Sequence, residues 1–151
     1  MEPVSDKTLV AAWARAARLI AFSVDARLSK VGVTQAELEL LRALTDTCSM
    51  KMMDLAKASA LTKSGASRAI QHMERAGWVK RKGSGEDRRS MVVSITEAGY
   101  QKFLEGSEAI QPVVQKYLLD NLSPRAARDL LYFLESVAEA GEEQCDEAAE
   151  H

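Results

Sequence analysis

A chain of 151 residues with 46% hydrophobic and 28% charged side chains can bury one sizeable core, and it is too apolar for wholesale disorder. No apolar run approaches the ~18 residues that span a bilayer. The N-terminus carries Lys7 without the apolar stretch of a signal peptide, and Cys48 and Cys145 fit no metal-ligand spacing, so a reducing cytoplasm is the expected location.

The predicted elements follow in chain order. Residues 5–31 form a long helix, with Ser5 as N-cap, Val10, Trp13, Ala17, Ile20, Val24 and Leu28 at three- and four-residue spacing, and Gly32 as the stop. Thr34 and Glu37 form a capping box that opens a second helix through about Leu44, with Leu38 and Leu41 inward. A short helix over 53–59, a turn at Ala60, Leu61 and Thr62, and a helix over 63–76 ended by Gly77 come next. The period then switches to alternation. Trp78 to Lys82 and Met91 to Ile95 read as a two-stranded hairpin around Gly83, Ser84 and Gly85. Thr96 caps a long helix to about Leu119 containing Pro112, with a kink expected near Ile110 and Gln111. Ser123 and Pro124 start a last helix with Ala127, Leu130, Leu131, Leu134 and Val137 on one stripe, ending at Gly141 before an acidic, frayed tail.

The fold class expected from this order is mainly α with a small β-hairpin wing. It divides as a first helix at 1–33, a winged helix-turn-helix at 34–96, further helices at 97–141 and an acidic tail at 142–151.

Charge is distributed unevenly along that order. The net charge is −2, yet residues 51–89 carry ten basic and four acidic side chains, while residues 97–151 carry four basic and twelve acidic. A basic middle suits a polyanion. Chance clustering on a solvated surface is the competing reading.

With about 100° per residue, the helix over 63–76 turns Ala66, Ala69, Ile70 and Met73 to one side. Ser64, Ser67, Arg68, Gln71 and Arg75 fall on the other, the hydroxyl, amide and guanidinium groups that read base edges and phosphates. Thr62 and Lys63 open the helix, where first-turn amides favour a phosphate. Taken alone, this is equally a surface helix with a wet polar side. In the hairpin, Lys80, Arg81 and Lys82 enter, and Glu86, Asp87, Arg88 and Arg89 leave the tip. An arginine there can enter a narrow minor groove, with Asp87 holding a neighbouring guanidinium in place. A solvated tip with incidental ion pairs is the plainer alternative. The succession of helix-turn-helix and basic hairpin carries the reading that double-stranded DNA is the partner.

The ordered motifs Asp54-Leu55-Ala56, Leu61-Thr62-Lys63-Ser64-Gly65-Ala66-Ser67-Arg68, Gly77-Trp78-Val79-Lys80-Arg81, Asp87-Arg88-Arg89 and Ile95-Thr96-Glu97-Ala98-Gly99 resemble the MarR family of bacterial winged-helix regulators. The resemblance covers roughly residues 34–99. It implies a homodimer held by the first and last helices, with helix 63–76 as recognition helix on a pseudo-palindromic operator. Asp87 and Arg89 match the wing pair, and Arg88 stands at a variable position; Gly65 departs from the Thr or Ala usual there. The implied function is a sequence-specific transcription regulator, a repressor released by a small aromatic or anionic ligand. A winged-helix protein-interaction module without a specific DNA site is the alternative.

Trp13, Phe22, Arg42, Tyr100, Phe103 and Tyr117 are compatible with the family's ligand crevice, although aromatic residues at helical spacing are more often core. No reactive cysteine precedes Cys48, and His72 and His151 alone make no zinc site. No nucleophile–base pair, phosphate loop or cofactor motif appears, so neither an enzyme nor a cofactor or metal site is expected.

Overall fold

The computed structural model describes residues 4–83 and 91–149, with side chains through residue 140. The elements are α1 (Asp6–Val31), α2 (Gln35–Thr47), β1 (Ser49–Lys51), α3 (Met52–Ala58), α4 (Lys63–Arg75), β2 (Val79–Lys82), β3 (Val92–Ile95), α5 (Glu97–Tyr117), a 3₁₀ turn (Leu119–Asn121) and α6 (Pro124–Ala149). This is the expected winged helix-turn-helix between flanking helices.

Local chemistry explains most of the boundaries. The Ser5 hydroxyl accepts from Thr8 N at the head of α1, and Gly32 closes that helix in the left-handed region at φ 71°. Thr34 and Glu37 complete the capping box of α2. Gly77, at φ 79°, turns the chain from α4 into β2.

Leu28, Leu40, Leu41, Leu44, Leu55, Ile70, Met73, Val79 and Val93 are fully buried and form one core between α1, α2, α3, α4 and the sheet. Helix α5 packs along α1 and α2. Gly106 permits this: a Cβ there would meet Leu38 Cδ1 at 2.7 Å.

The structure differs from the sequence expectation in four places. The sheet has three strands, ordered β1-β3-β2, rather than two. β1 is only three residues long, too short to show alternation, and it exists because Cys48, at φ 62°, turns the chain beside β3 with Met50 opposite Val93. Helix α2 runs on to Thr47, and the helix begun at Thr96 stops at Tyr117, where a 3₁₀ turn takes over. Helix α6 continues through Gly141 to Ala149. An interior glycine costs only about 1 kcal/mol, and the glutamates and alanines beyond it are good helix formers.

The apolar stripes also behave differently from a simple core face. On α1 only Val24 and Leu28 are buried, while Leu9, Val10, Trp13 and Phe22 are largely exposed. On α6 Leu131, Tyr132, Phe133, Leu134 and Val137 are exposed, and α6 packs only thinly on the rest of the described chain. No helix among the described residues is long and apolar enough to cross a membrane.

Candidate nucleic-acid interface

Helix α4 is two-sided. Ala66, Ile70 and Met73 are sealed in the core, and Leu55 and Ala56 of α3 are buried with them. Thr62, Lys63, Ser64, Arg68, Gln71 and Arg75 are exposed, and Ser67 is half-buried. The Thr62 hydroxyl accepts from Gly65 N at 3.1 Å and so fixes the first turn. A Cβ on Gly65 would sit 3.0 Å from that hydroxyl oxygen, a close contact. Arg68 Nε donates to Ser64 O at 3.4 Å, which folds this guanidinium back along the helix.

The base of the wing sorts its three cations. In β2, Val79 is buried and Arg81 half-buried, whereas Lys80 and Lys82 are exposed. Arg81 Nε donates to Glu74 Oε2 at 2.7 Å, tying β2 to the last turns of α4. That guanidinium holds the Glu74 carboxyl below the usual carboxylate range. Arg81 is therefore structural, and Lys80 and Lys82 remain open to a phosphate. Asp87, Arg88 and Arg89 lie outside the described residues.

A second set of contacts joins this unit to α5. Thr96 Oγ1 donates to the Gly77 carbonyl at 2.6 Å and accepts from Gly99 N at 3.1 Å, while Thr96 N donates to Trp78 O at 3.0 Å. Gly99 lies so close beneath that turn that a Cβ would fall 2.0 Å from Trp78 O. The Thr-x-x-Gly signature is thus a joint that needs a hydroxyl and a missing side chain.

Sequence reasoning passed over one further cluster. Glu37 is 4% exposed; its Oε2 accepts from Thr34 N at 2.8 Å, and His72 Nδ1 of α4 donates to its Oε1 at 2.6 Å. His72 also meets the Trp78 ring edge-on, with centroids 5.8 Å apart. The capping-box Glu was visible in sequence. Its partner, thirty-five residues away, gave no signal.

The six residues compatible with a ligand crevice are not brought together. Phe22 and Tyr117 line a crevice of about 250 Å³ between α1 and α5, which also takes in Arg27, Lys30, Pro112 and Lys116. Trp13 is exposed on α1, Arg42 pairs with Glu39 on the surface of α2, Tyr100 is partly exposed on α5, and Phe103 packs against the core. The cations Arg27, Lys30 and Lys116 are what the sequence reading missed here. Among the described residues no group of three His, Cys, Asp or Glu side chains forms a metal site, and Cys48 is exposed without a disulfide.

A capped, two-sided helix following a short helix and turn, backed by a three-stranded sheet with lysines on its outer strand, defines a winged helix-turn-helix protein. Residues 31–90 match the model of the MarR family. It is 27% identical over 105 residues to an HTH-type transcriptional regulator of Bacillus subtilis, YfiV, covering 62% of this chain and 66% of that protein. The chain thus spans just under two thirds of this curated relative. In three dimensions it is similar to the MarR-family regulator Sco3205 of Streptomyces coelicolor in complex with DNA. That likeness has a TM-score of 0.80 and 24% identity, covering 93% of this chain and 91% of that one. It is also similar to AbsC, a MarR-family regulator of the same organism, with a TM-score of 0.78, 27% identity, and 93% and 97% of the two chains covered.

Proposed function

We propose that this chain is a cytoplasmic, homodimeric transcription regulator that binds a pseudo-palindromic duplex operator, a repressor released by a small anionic aromatic ligand. The observation that carries the reading is the exposed Ser64, Arg68, Gln71 and Arg75 face of α4, set in the most basic stretch of the chain.

Each group then has a task its chemistry suits. Arginine pairs with guanine O6 and N7 in the major groove and glutamine with adenine, so Arg68, Arg75 and Gln71 read bases. The hydroxyls of Ser64 and Ser67, the first-turn amides behind Thr62, and the ammonium groups of Lys63, Lys80 and Lys82 take phosphates and fix register. Arg89, oriented by Asp87 and flanked by Arg88, enters the minor groove from the wing. The fold of Sco3205, which is bound to DNA, supports this use of the lobe.

The exposed apolar residues of α1 and α6 support the dimer. A monomer rarely leaves so large an apolar surface in water, and a second copy covers it symmetrically. Two α4 helices then meet successive major grooves about 34 Å apart. The crevice between α1 and α5, with aromatic walls and three cations, supports a small aromatic carboxylate as effector.

Selection from a random duplex library tests the reading. Recovery of inverted half-sites about ten base pairs apart is expected. Recovery of no motif, with a protein partner co-purifying instead, overturns it in favour of a protein-interaction module.

A further inference from the structure

The apolar contacts that hold α4 in the core are not directional. Ala66, Ile70 and Met73 keep the helix in place, but close packing of such side chains resists rotation about the helix axis less strictly than a hydrogen bond does. Base reading is sensitive to that rotation. At a helix radius of about 5–6 Å, a turn of roughly 10° moves a side-chain end by about 1 Å, enough to break a bidentate contact.

His72, although its side chain is 60% exposed, adds to the Glu74–Arg81 pair a second directional bond against such a rotation. It lies four residues after Arg68 and three before Arg75, beside the reading face. Its ring reaches Glu37, the buried carboxylate at the head of α2, whose other oxygen is already fixed by Thr34 N. The ring also stands perpendicular to the Trp78 ring, with centroids 5.8 Å apart. Lys102 of α5 stands 5.5 Å from the Trp78 ring centroid, donates to Val31 O at the end of α1 at 3.0 Å, and pairs with Glu105 at 2.6 Å. The chain of contacts thus runs from the last turn of the reading helix to α1 and α5.

We infer that Glu37 and His72 are positioning residues for base reading, fixing the rotation of α4, and that Trp78 and Lys102 refer that setting to α1 and α5. This rests on the DNA reading above. Neither Glu37 nor His72 need touch DNA. The signature is therefore loss of discrimination rather than loss of attraction, because attraction comes from phosphate contacts that tolerate a small rotation.

The experiment compares affinity for the selected duplex with that for a shuffled duplex of the same composition, at one salt concentration. Thermal melting confirms that each protein is folded. His72→Ala is expected to lower the ratio about tenfold, the worth of one hydrogen bond to a charged group, with affinity for shuffled duplex unchanged. In His72→Asn the amide nitrogen stands near the position of Nδ1, so most of the ratio returns. Lys102→Met keeps the apolar stem, loses the ammonium, and lowers the ratio about threefold, as one cation–π contact suggests.

A His72→Ala ratio within twofold of wild type overturns the inference. So does an equal weakening on both duplexes, or an Asn variant as poor as Ala. Wild-type protein without any preferred duplex overturns the function proposed above and this inference with it; a discriminating wild type beside unaltered variants overturns this one alone.

Discussion

Gly99→Ala tests the joint between α5 and the α4–β2 turn. The added Cβ falls 2.0 Å from Trp78 O, 2.9 Å from Trp78 C and 3.0 Å from Ile95 Cγ1, where real contacts stay at 3.0 Å or more. The obstacle is a backbone carbonyl, which cannot swing aside as a side chain does, so α5 or the turn must move by about an ångström. Overpacking of this kind costs roughly 1–3 kcal/mol. The Thr96 bonds to Gly77 O, Trp78 O and Gly99 N stretch as the parts separate, adding about 1 kcal/mol for each one broken. Alanine returns about 1 kcal/mol of helix propensity. With two of these bonds broken, the net is a loss of about 2–4 kcal/mol, or roughly 5–15 °C in Tm for a chain of this size. Thermal unfolding followed by circular dichroism at one fixed protein concentration measures it, since a dimer's Tm depends on concentration. Gly106→Ala is the internal comparison: its Cβ meets the end of the Leu38 side chain at 2.7 Å, which rotates away at smaller cost. A Gly99→Ala protein as stable as wild type, or no less stable than Gly106→Ala, refutes the joint.

The other predictions address the wing and the stalk. Arg81→Met removes the partner that depresses the Glu74 carboxyl, and a depressed folded-state value stabilises above the ordinary carboxylate range and ceases to as pH falls through the lowered value. The variant's Tm deficit, about 1–2 °C for a half-buried pair that solvent still screens, is thus expected at neutral pH and closes on acidification; a deficit that widens in acid contradicts the assignment. Arg89→Ala is expected to weaken operator binding and lower the slope of log affinity against log salt by about one unit, with an unchanged slope counting against a minor-groove arginine. Leu131→Glu with Leu134→Glu places two charges on the exposed face of α6 and is expected to halve the mass seen by sedimentation. An intact dimer there excludes α6 from the interface.

Much of the fold was legible because its boundaries are set by neighbours in sequence. Ser5, Thr34, Thr62 and Thr96 each bond an amide three residues on, and Gly32 and Gly77 each take a left-handed backbone, so short-range chemistry marks the ends of α1, α2, α4 and α5. The two faces of α4 were legible for the same reason, since 100° per residue separates Ile70 from Gln71. β1 was not, because three residues carry no period, and the strand is defined by what β3 offers it. Nor were the pairs His72–Glu37 and Arg81–Glu74, which depend on how elements pack. The stripe on α1 was legible as apolar but not as unburied: periodicity reports that a face avoids water, and Leu28 and Trp13 carry the same signal to different destinations.

Under the proposed function, the contacts around Trp78 bear on how an effector in the α1–α5 crevice acts on DNA binding. Pro112 and Lys116 line that crevice, and Lys102 and Gly99 grip the α4–β2 turn from the same helix. From Lys102 to Pro112 along α5 is about 15 Å at 1.5 Å per residue. A helix transmits a tilt over that distance only if it is rigid and its far end does not slip. The Gly99 close approach and the Thr96 bonds supply the second condition, because α5 cannot slide past the turn without forcing the Trp78 carbonyl. A tilt that α5 transmits over this length carries Trp78 with it, and Trp78 bears on His72. Under the proposed function, ligand and operator compete through the rotation of α4 rather than through a shared surface, so DNA is released while the exposed side chains of α4 stay intact.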